Sequence, residues 1–531
     1  MEARRQYVVP YFQRAYSWGP TQWRVLYDDI LELHELGSTH DHFLGSMVLL
    51  NEAGGSDHTL VIDGQQRLVT LSLFLAAIRD AARERHPALA ERLREVLTAS
   101  GDEPKVLPTY VDRDAFARVI AHADGEEELP PSGIADAYRY FEAQLKAHPA
   151  GFDLERLERI LMAQLSFVAI SLDSEDNPYR IFESLNAKGM PLTQGDLLRN
   201  YFFMRLPTAE HEDLYTKLWN PMQLRLGKRF DDFMRDFLVK EGGPVKADEV
   251  YNGWRRRLGP MSHAQIRDVL QDLSDWSVEY DQLLHPNREP DQAARNHLDR
   301  LMRWSETVGG KLHPFLLRVY GDYRRHKLPS GDLQEALLAA ESYLVRRLFL
   351  NPPAVDENLL FMDLYKQSGS SGSAFATALS SARFNWPSDT EFRDAAVRYP
   401  LYFGSHPDQR LLILRSIEDT FQHRFTVQYE RFELDFLAPL LPRAEWLTEV
   451  GVDEDGYWRL VSTLGNMTWA LKGKYPSLRV EQRKKELALA RQGVELPKTF
   501  PPGEHWTAAG IEDRSRRLAD IAITIWPGPR R

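Results

Sequence analysis

The chain has 531 residues, 27% charged and 43% hydrophobic, with a formal net charge of −11 and no cysteine. The lack of cysteine excludes disulfides, thiolate zinc sites, thiol nucleophiles and iron–sulfur clusters. Apolar runs such as Leu71–Ile78 are too short to cross a bilayer, and no basic start followed by an apolar stretch marks a secretory signal. A cytoplasmic protein without membrane contact is expected, of two to four domains at roughly 100–200 residues each.

The first 80 residues read as mixed α/β. Tyr7-Val8-Val9-Pro10 is a short extended start, and Thr21–Leu33 has helical spacing with Thr21 as its cap and Trp23, Leu26, Tyr27, Ile30 and Leu33 on one face. His42–Leu50 and Thr59–Ile62 read as strands of a hairpin, joined by the turn-forming stretch from Asn51 to His58. A helix is predicted from Arg67 to about Asp80, with Leu68, Leu71, Leu75 and Ile78 on one face. From Ala81 to Leu161 the sequence is helical and charged, broken near Gly125–Gly133, and Ser166–Leu172 is the next strand. A helix from Asn177 to Asn186 and another from Gln194 to Leu206 follow. Residues 207–400 read as successive helices, with Ser368–Ser373 as a mobile surface loop or linker. An aromatic-rich segment begins after Pro407 and closes on Trp526-Pro-Gly-Pro.

Three clusters carry chemistry. In Val61-Ile-Asp-Gly-Gln-Gln-Arg67 a strand runs through an Asp-Gly turn into a helix start, where free N–H groups and the helix dipole favour anions. Arg67 offers a planar fork for phosphate, Asp63 could hold a hard divalent cation, and Gln65 or Gln66 could orient an attacking water. The competing reading is a capped helix whose polar residues merely satisfy the loop backbone. There is no Gly-x-x-x-x-Gly-Lys-Ser/Thr, so a standard P-loop is excluded. The second cluster sets Gln13 and Arg14 among Tyr11, Phe12, Tyr16 and Trp18, suited either to stack on a base and clamp a phosphate or to pack as an aromatic lead-in to the first helix. In the third, Asn186 and Gly189 lie at a helix exit and Thr193 caps the next helix with Asp196 in its first turn.

PYFQRAYSW, HFLGSMVLL, VIDGQQRLVTL and FESLNAKGMPLTQGDLLRN, in that order, resemble the N-terminal nucleotidase domain of GmrSD-type restriction proteins, a family that includes the phosphorothioate-sensing SspE proteins. The resemblance covers roughly residues 5–205 and implies a ParB/sulfiredoxin-like fold. It also implies nucleoside triphosphate hydrolysis at Asp63, Gly64, Gln65, Gln66 and Arg67, with Gln13, Arg14 and Asn186 in the same pocket. Residues 408–526 resemble the HNH-type nuclease domain that such proteins carry. Leu464-Gly-Asn-Met-Thr468 matches, followed in order by the Lys-rich helix Arg483–Leu489, Trp506, Arg514 and Trp526. Where that family has a His, this chain has Phe436, which can neither take a proton from water nor ligate a metal; the second expected Asn is also missing. His423 and His505 read as surface or capping residues.

Charge is divided unevenly. Residues 471–531 carry 13 Lys and Arg against 7 Asp and Glu, a balance of +6 that leaves −17 on residues 1–470. Arg479, Arg483, Lys484 and Lys485 on one helix, with Arg514, Arg516 and Arg517 on another, are candidate DNA phosphate contacts. The alternative is pairing with Glu481, Glu486, Glu512 and Asp513 at helical spacing. Arg255–Arg257 and Arg324–Lys327 read as solvated faces.

The resulting expectation is a predominantly helical α+β protein. Residues 1–205 would form a small mixed α/β nucleotide-hydrolysing domain with a helical insertion at about 81–161, residues 206–405 a helical linker, and residues 406–531 an HNH-like domain without its His. The resemblance implies an antiphage restriction protein that binds and hydrolyses GTP, ATP or UTP with Mg²⁺ and senses or acts on double-stranded DNA, modified phage DNA in particular. A homo-oligomer or a partner nuclease subunit belongs to the same expectation. The alternative is a non-cleaving DNA-sensing adaptor that uses the nucleotide as a switch and recruits a separate nuclease.

Overall fold

A computed structural model describes residues 5–529, except 12, 37–40, 52–57, 100–102, 122–128, 150, 173–192, 241–244, 352–355, 370, 382–384, 424, 473–492 and 501–504. Helices dominate, and the chain divides into two compact units: residues 1–224 with 248–272, and residues 225–247 with 273–531. Among the described residues no helix is long and apolar enough to cross a membrane.

The first unit is built on a five-stranded mixed sheet. Its strands are β1 (Gln6–Val8), β2 (His42–Asn51), β3 (His58–Asp63), β4 (Val106–Leu107) and β5 (Leu165–Leu172), in the order β4-β1-β3-β2-β5. The expected hairpin forms: β2 and β3 pair antiparallel, and β5 lies parallel to β2 at one edge. At the other edge the two-residue β4, too short to show periodicity, pairs parallel with β1.

Helix α1 (Pro20–Leu36) begins one residue before its expected cap, so Thr21 lies inside its first turn. Proline suits that position because its fixed φ is already helical and its missing N–H is not needed there. Helix α2 (Gln65–Ala82) starts two residues before the predicted start, which makes Gln65, Gln66 and Arg67 its first three residues. Nor is it one-sided. Val69, Leu73, Phe74, Ala76 and Ala77 are buried along with the predicted leucines, so α2 is the central helix of the unit. It packs against α3 (Pro87–Leu97), α4 (Gly133–Ala147) and α5 (Leu154–Ala163). Its core cluster also takes in Val9, Met47, Val61 and Val106 of the sheet region. Phe74 and Phe141 stack at 4.5 Å within it, and full burial of one such ring is worth about 1.5–3 kcal/mol.

After β5, the predicted helix at 177–186 lies outside the described residues. The helix Gln194–Met204 carries the expected cap: Thr193 accepts from the Asp196 N–H, and the Asp196 carboxylate accepts from the Thr193 N–H.

In the second unit residues 371–373, the described end of the Ser368–Ser373 stretch, open a capped helix instead of a linker. Ser371 caps the helix Gly372–Leu379, and both Ser371 Oγ and Gly372 N–H donate to Asp332 Oδ1 of the helix Ser330–Leu350. The Arg324–Lys327 run is more engaged than a solvated face. Arg324 and Arg325 reach Glu279, and Arg325 covers the Trp276 ring at 3.8 Å. Near the C-terminus, β6 (Phe432–Phe436) pairs antiparallel with β7 (Met467–Leu471), and the helix Ala508–Ile525 follows.

Candidate active site

The Asp-Gly-Gln-Gln-Arg segment joins the end of β3 to the start of α2. Gly64 turns the chain with φ +93°, a left-handed value that favours glycine, and a side chain there would press on Met47 of β2, with a Cβ 3.2 Å from Met47 Cγ. Among the described residues no side chain caps α2, so its first N–H groups, which have no intrahelical acceptor, remain a positive end for an anion.

The aromatic cluster lies across this helix start, held there by the glutamines. Gln13 Nε2 donates to the Ile62 carbonyl at 2.9 Å. Gln66 Nε2 donates to Ala15 O at 3.2 Å, and its Oε1 accepts from Ser17 N–H at 2.8 Å. Both ends of Gln66 are therefore engaged by the backbone of the 13–17 segment, as the capped-helix reading would have it. Gln65 differs. Its Nε2 donates to Arg14 O at 3.3 Å, but its Oε1 is buried with no partner among the described residues. A buried acceptor without a donor costs about 1–3 kcal/mol, which a ligand or water supplying the missing N–H or O–H would recover.

The aromatic residues divide in the same way. Tyr16 is structural: its hydroxyl meets Thr70 Oγ1 at 2.7 Å and accepts from Trp23 Nε1 at 2.8 Å, while burial raises its pKa far above 10. Its N–H donates to Asp112 Oδ2 at 2.8 Å, which the Thr109 hydroxyl also engages. Burial raises the Asp112 pKa against these two hydrogen bonds. Tyr11 packs near Tyr110 and Tyr215, with the Arg113 guanidinium 4.8 Å above its ring. Phe12 and Asn186 lie outside the described residues. Arg14 is half-buried, and its guanidinium has no acceptor among the described residues.

Arg67 Nη1 donates to the Leu44 carbonyl at 2.7 Å, and its Nη2 lies 3.9 Å from Asp63 Oδ2. Its side chain is 21% exposed and that of Asp63 28%. A guanidinium has five N–H donors, so most of those on Arg67 stay available. The structure thus brings Asp63, Gly64, Gln65, Gln66 and Arg67 together with the Gln13 side chain, which holds the neighbouring Ile62 carbonyl, and with the Arg14 backbone. Sequence reasoning gave no role to Gly45, Thr109 or Asp112. For Gly45 a signal existed, since a glycine inside a strand pattern often marks a bulge.

The C-terminal frame is occupied by its own architecture. Asn466 is fully buried: Oδ1 accepts from Ala438 N–H and Trp506 Nε1, and Nδ2 donates to Ala438 O and Val461 O. Phe436 is buried with its ring edge-on to Tyr402 at 4.9 Å. His423 hydrogen-bonds the Glu418 carbonyl and His505 pairs with Glu449. Among the described residues no three His, Asp or Glu side chains cluster as a metal site.

Arg514 is a correction. It does not face DNA: it is 0% exposed, donates to Gly465 O, Met467 O, Leu496 O and Thr499 Oγ1, and stacks on Phe500 at 3.8 Å. Burial lowers its pKa to about 9, which leaves it charged at neutral pH and held by three carbonyls. Arg516 and Arg517 are exposed and pair with Glu512 and Asp513. Arg479, Arg483, Lys484 and Lys485 lie outside the described residues.

In comparison with known families, the GmrSD restriction endonuclease N-terminal domain matches residues 1–203. No curated protein matches the chain.

Proposed function

With residues 1–203 belonging to the GmrSD restriction endonuclease N-terminal domain family, we propose that this protein binds and hydrolyses a nucleoside triphosphate at the start of α2 and couples that step to sensing modified DNA. The observation that carries the reading is the set of unsatisfied polar groups at that point. Among the described residues the α2 start has no side-chain cap and the buried Gln65 Oε1 has no partner, with Arg67 and Asp63 on the same turn and the Arg14 backbone against Gln65. Arg67 and Arg14 would hold phosphate oxygens. Gln65 is the glutamine left to orient a water, because Gln66 is engaged at both ends.

A divalent cation fits the donor set in one respect: Asp63 is 28% exposed and, among the described residues, its side chain meets only Arg67, at 3.9 Å. Magnesium keeps most of its waters and needs one or two carboxylates besides the phosphates, whose charge it neutralises when bound. Asp63 would hold it or its hydration shell.

Release of inorganic phosphate from GTP, ATP and UTP with Mg²⁺ tests the reading. At least one nucleotide is expected to turn over, and Arg67→Ala to abolish that turnover and weaken binding. Unchanged turnover in Arg67→Ala removes the site assignment.

The saturated Asn466 and buried Phe436 favour a second reading for the C-terminal segment, an adaptor that senses DNA and leaves cleavage to a separate nuclease. Purified full-length protein should then leave both unmodified plasmid and modified phage DNA intact with Mg²⁺ or Mn²⁺. Nicking that stops on chelation overturns it.

A further inference from the structure

The floor of the Asp63–Arg67 turn is made by β2, and its irregularity is placed where Arg67 needs it. The β2–β5 register shifts between Phe43 and Ser46, and Gly45 within that shift has φ +107°. A Cβ on Gly45 would lie 2.3 Å from Arg67 Nη1 and 3.4 Å from its Cζ. One residue earlier, the Leu44 carbonyl accepts from that same Nη1 at 2.7 Å. Two residues later, Met47 lies beneath Gly64. A regular strand with a side chain at position 45 would block the guanidinium. It would also turn the Leu44 carbonyl, because a bulge re-aims the groups on either side of it.

We propose that the Leu44–Gly45 bulge is a positioning element for Arg67: the Leu44 carbonyl aims the guanidinium and the bare Gly45 Cα makes room for it. Gly45 acts through Arg67 and not on the ligand. The nucleotide part of this inference rests on Arg67 being a phosphate ligand, whereas the link between Gly45 and Arg67 does not.

The test is a double-mutant cycle in the full chain with Gly45→Ala, Arg67→Ala and both together. Without nucleotide, urea midpoints should be sub-additive, because removing the Arg67 side chain relieves its clash with the new methyl group. With nucleotide, Gly45→Ala should raise KM at least tenfold, and the nucleotide Kd of the double variant, read by equilibrium binding, should match that of Arg67→Ala alone. If Gly45→Ala alone fails to fold while the double variant folds, that rescue supports the proposal. If both fail to fold, or the shifts in midpoint simply add, backbone strain and not Arg67 explains the glycine and the proposal falls. Wild-type protein that turns over no nucleotide but shows a sub-additive stability cycle overturns the nucleotide reading and leaves the positioning link standing.

Discussion

Two adjacent glutamines with the same chemistry hold different positions at the α2 start, and their hydrogen bonds separate them. Gln66 bridges Ala15 O and Ser17 N–H, so Gln66→Ala strips two backbone groups of their partners. That loss should cost about 1–3 kcal/mol in urea unfolding. Gln65→Ala gives up one bond of 3.3 Å and also removes a buried oxygen that has no partner. Its stability should change by less than about 1 kcal/mol, while turnover falls by about 10²-fold or more if Oε1 orients the attacking water. Steady-state phosphate release and urea midpoints on both variants check the division. Full turnover in Gln65→Ala would remove Gln65 from the chemistry.

Elements with a strong local signal were legible. The β2–β3 hairpin followed from two β-rich runs around a turn, and the Thr193–Asp196 cap from its spacing. Where tertiary packing overrides local pattern, legibility ended. Leu68, Leu71, Leu75 and Ile78 of α2 suggested one apolar face, but sheet and helices enclose this helix, and its alanines are as buried as its leucines. Its start moved to Gln65 because a left-handed Gly64 completes the turn one residue after the strand. The identities of the site residues were readable, but their division of labour was not. Sequence cannot tell that the Tyr16 hydroxyl is taken up by Thr70 and Trp23 while the Arg14 guanidinium has no acceptor among the described residues, since both follow from how the 13–18 segment crosses α2. Arg514 misled for a related reason: it sits in a basic helix beside Arg516 and Arg517, yet the carbonyls of Gly465, Met467 and Leu496 draw it inside.

On the scale of the whole molecule, the end of the chain is fastened by a buried carboxylate far away in sequence, and that fastening should govern acid stability. Glu341 is 2% exposed; Oε1 accepts from Arg300 Nε and from Trp526 Nε1 at 2.7 Å, and Oε2 accepts from His297 Nδ1 at 2.8 Å. Next to it, Ser342 Oγ donates to Pro527 O at 2.7 Å and Arg346 Nε to Trp526 O at 2.8 Å. Burial alone would raise the Glu341 pKa, but the His297 hydrogen bond and the Arg300 charge outweigh it and hold the pKa below 4.5. An acid whose pKa is lower folded than unfolded binds fewer protons in the native state, so stability rises with pH across the gap between the two values. The contribution of Glu341 is therefore complete above 4.5 and is lost as pH falls through its lower folded value. Glu341→Gln should lose about 1.5–3 kcal/mol at neutral pH, because the buried carboxylate gives up its charge-assisted bonds to Arg300 and His297, and it should show a shallower fall in urea midpoint as pH drops below 4.5. Equal slopes for wild type and variant would mean that other carboxylates set the acid transition and that Glu341 holds the C-terminal tryptophan without governing its release.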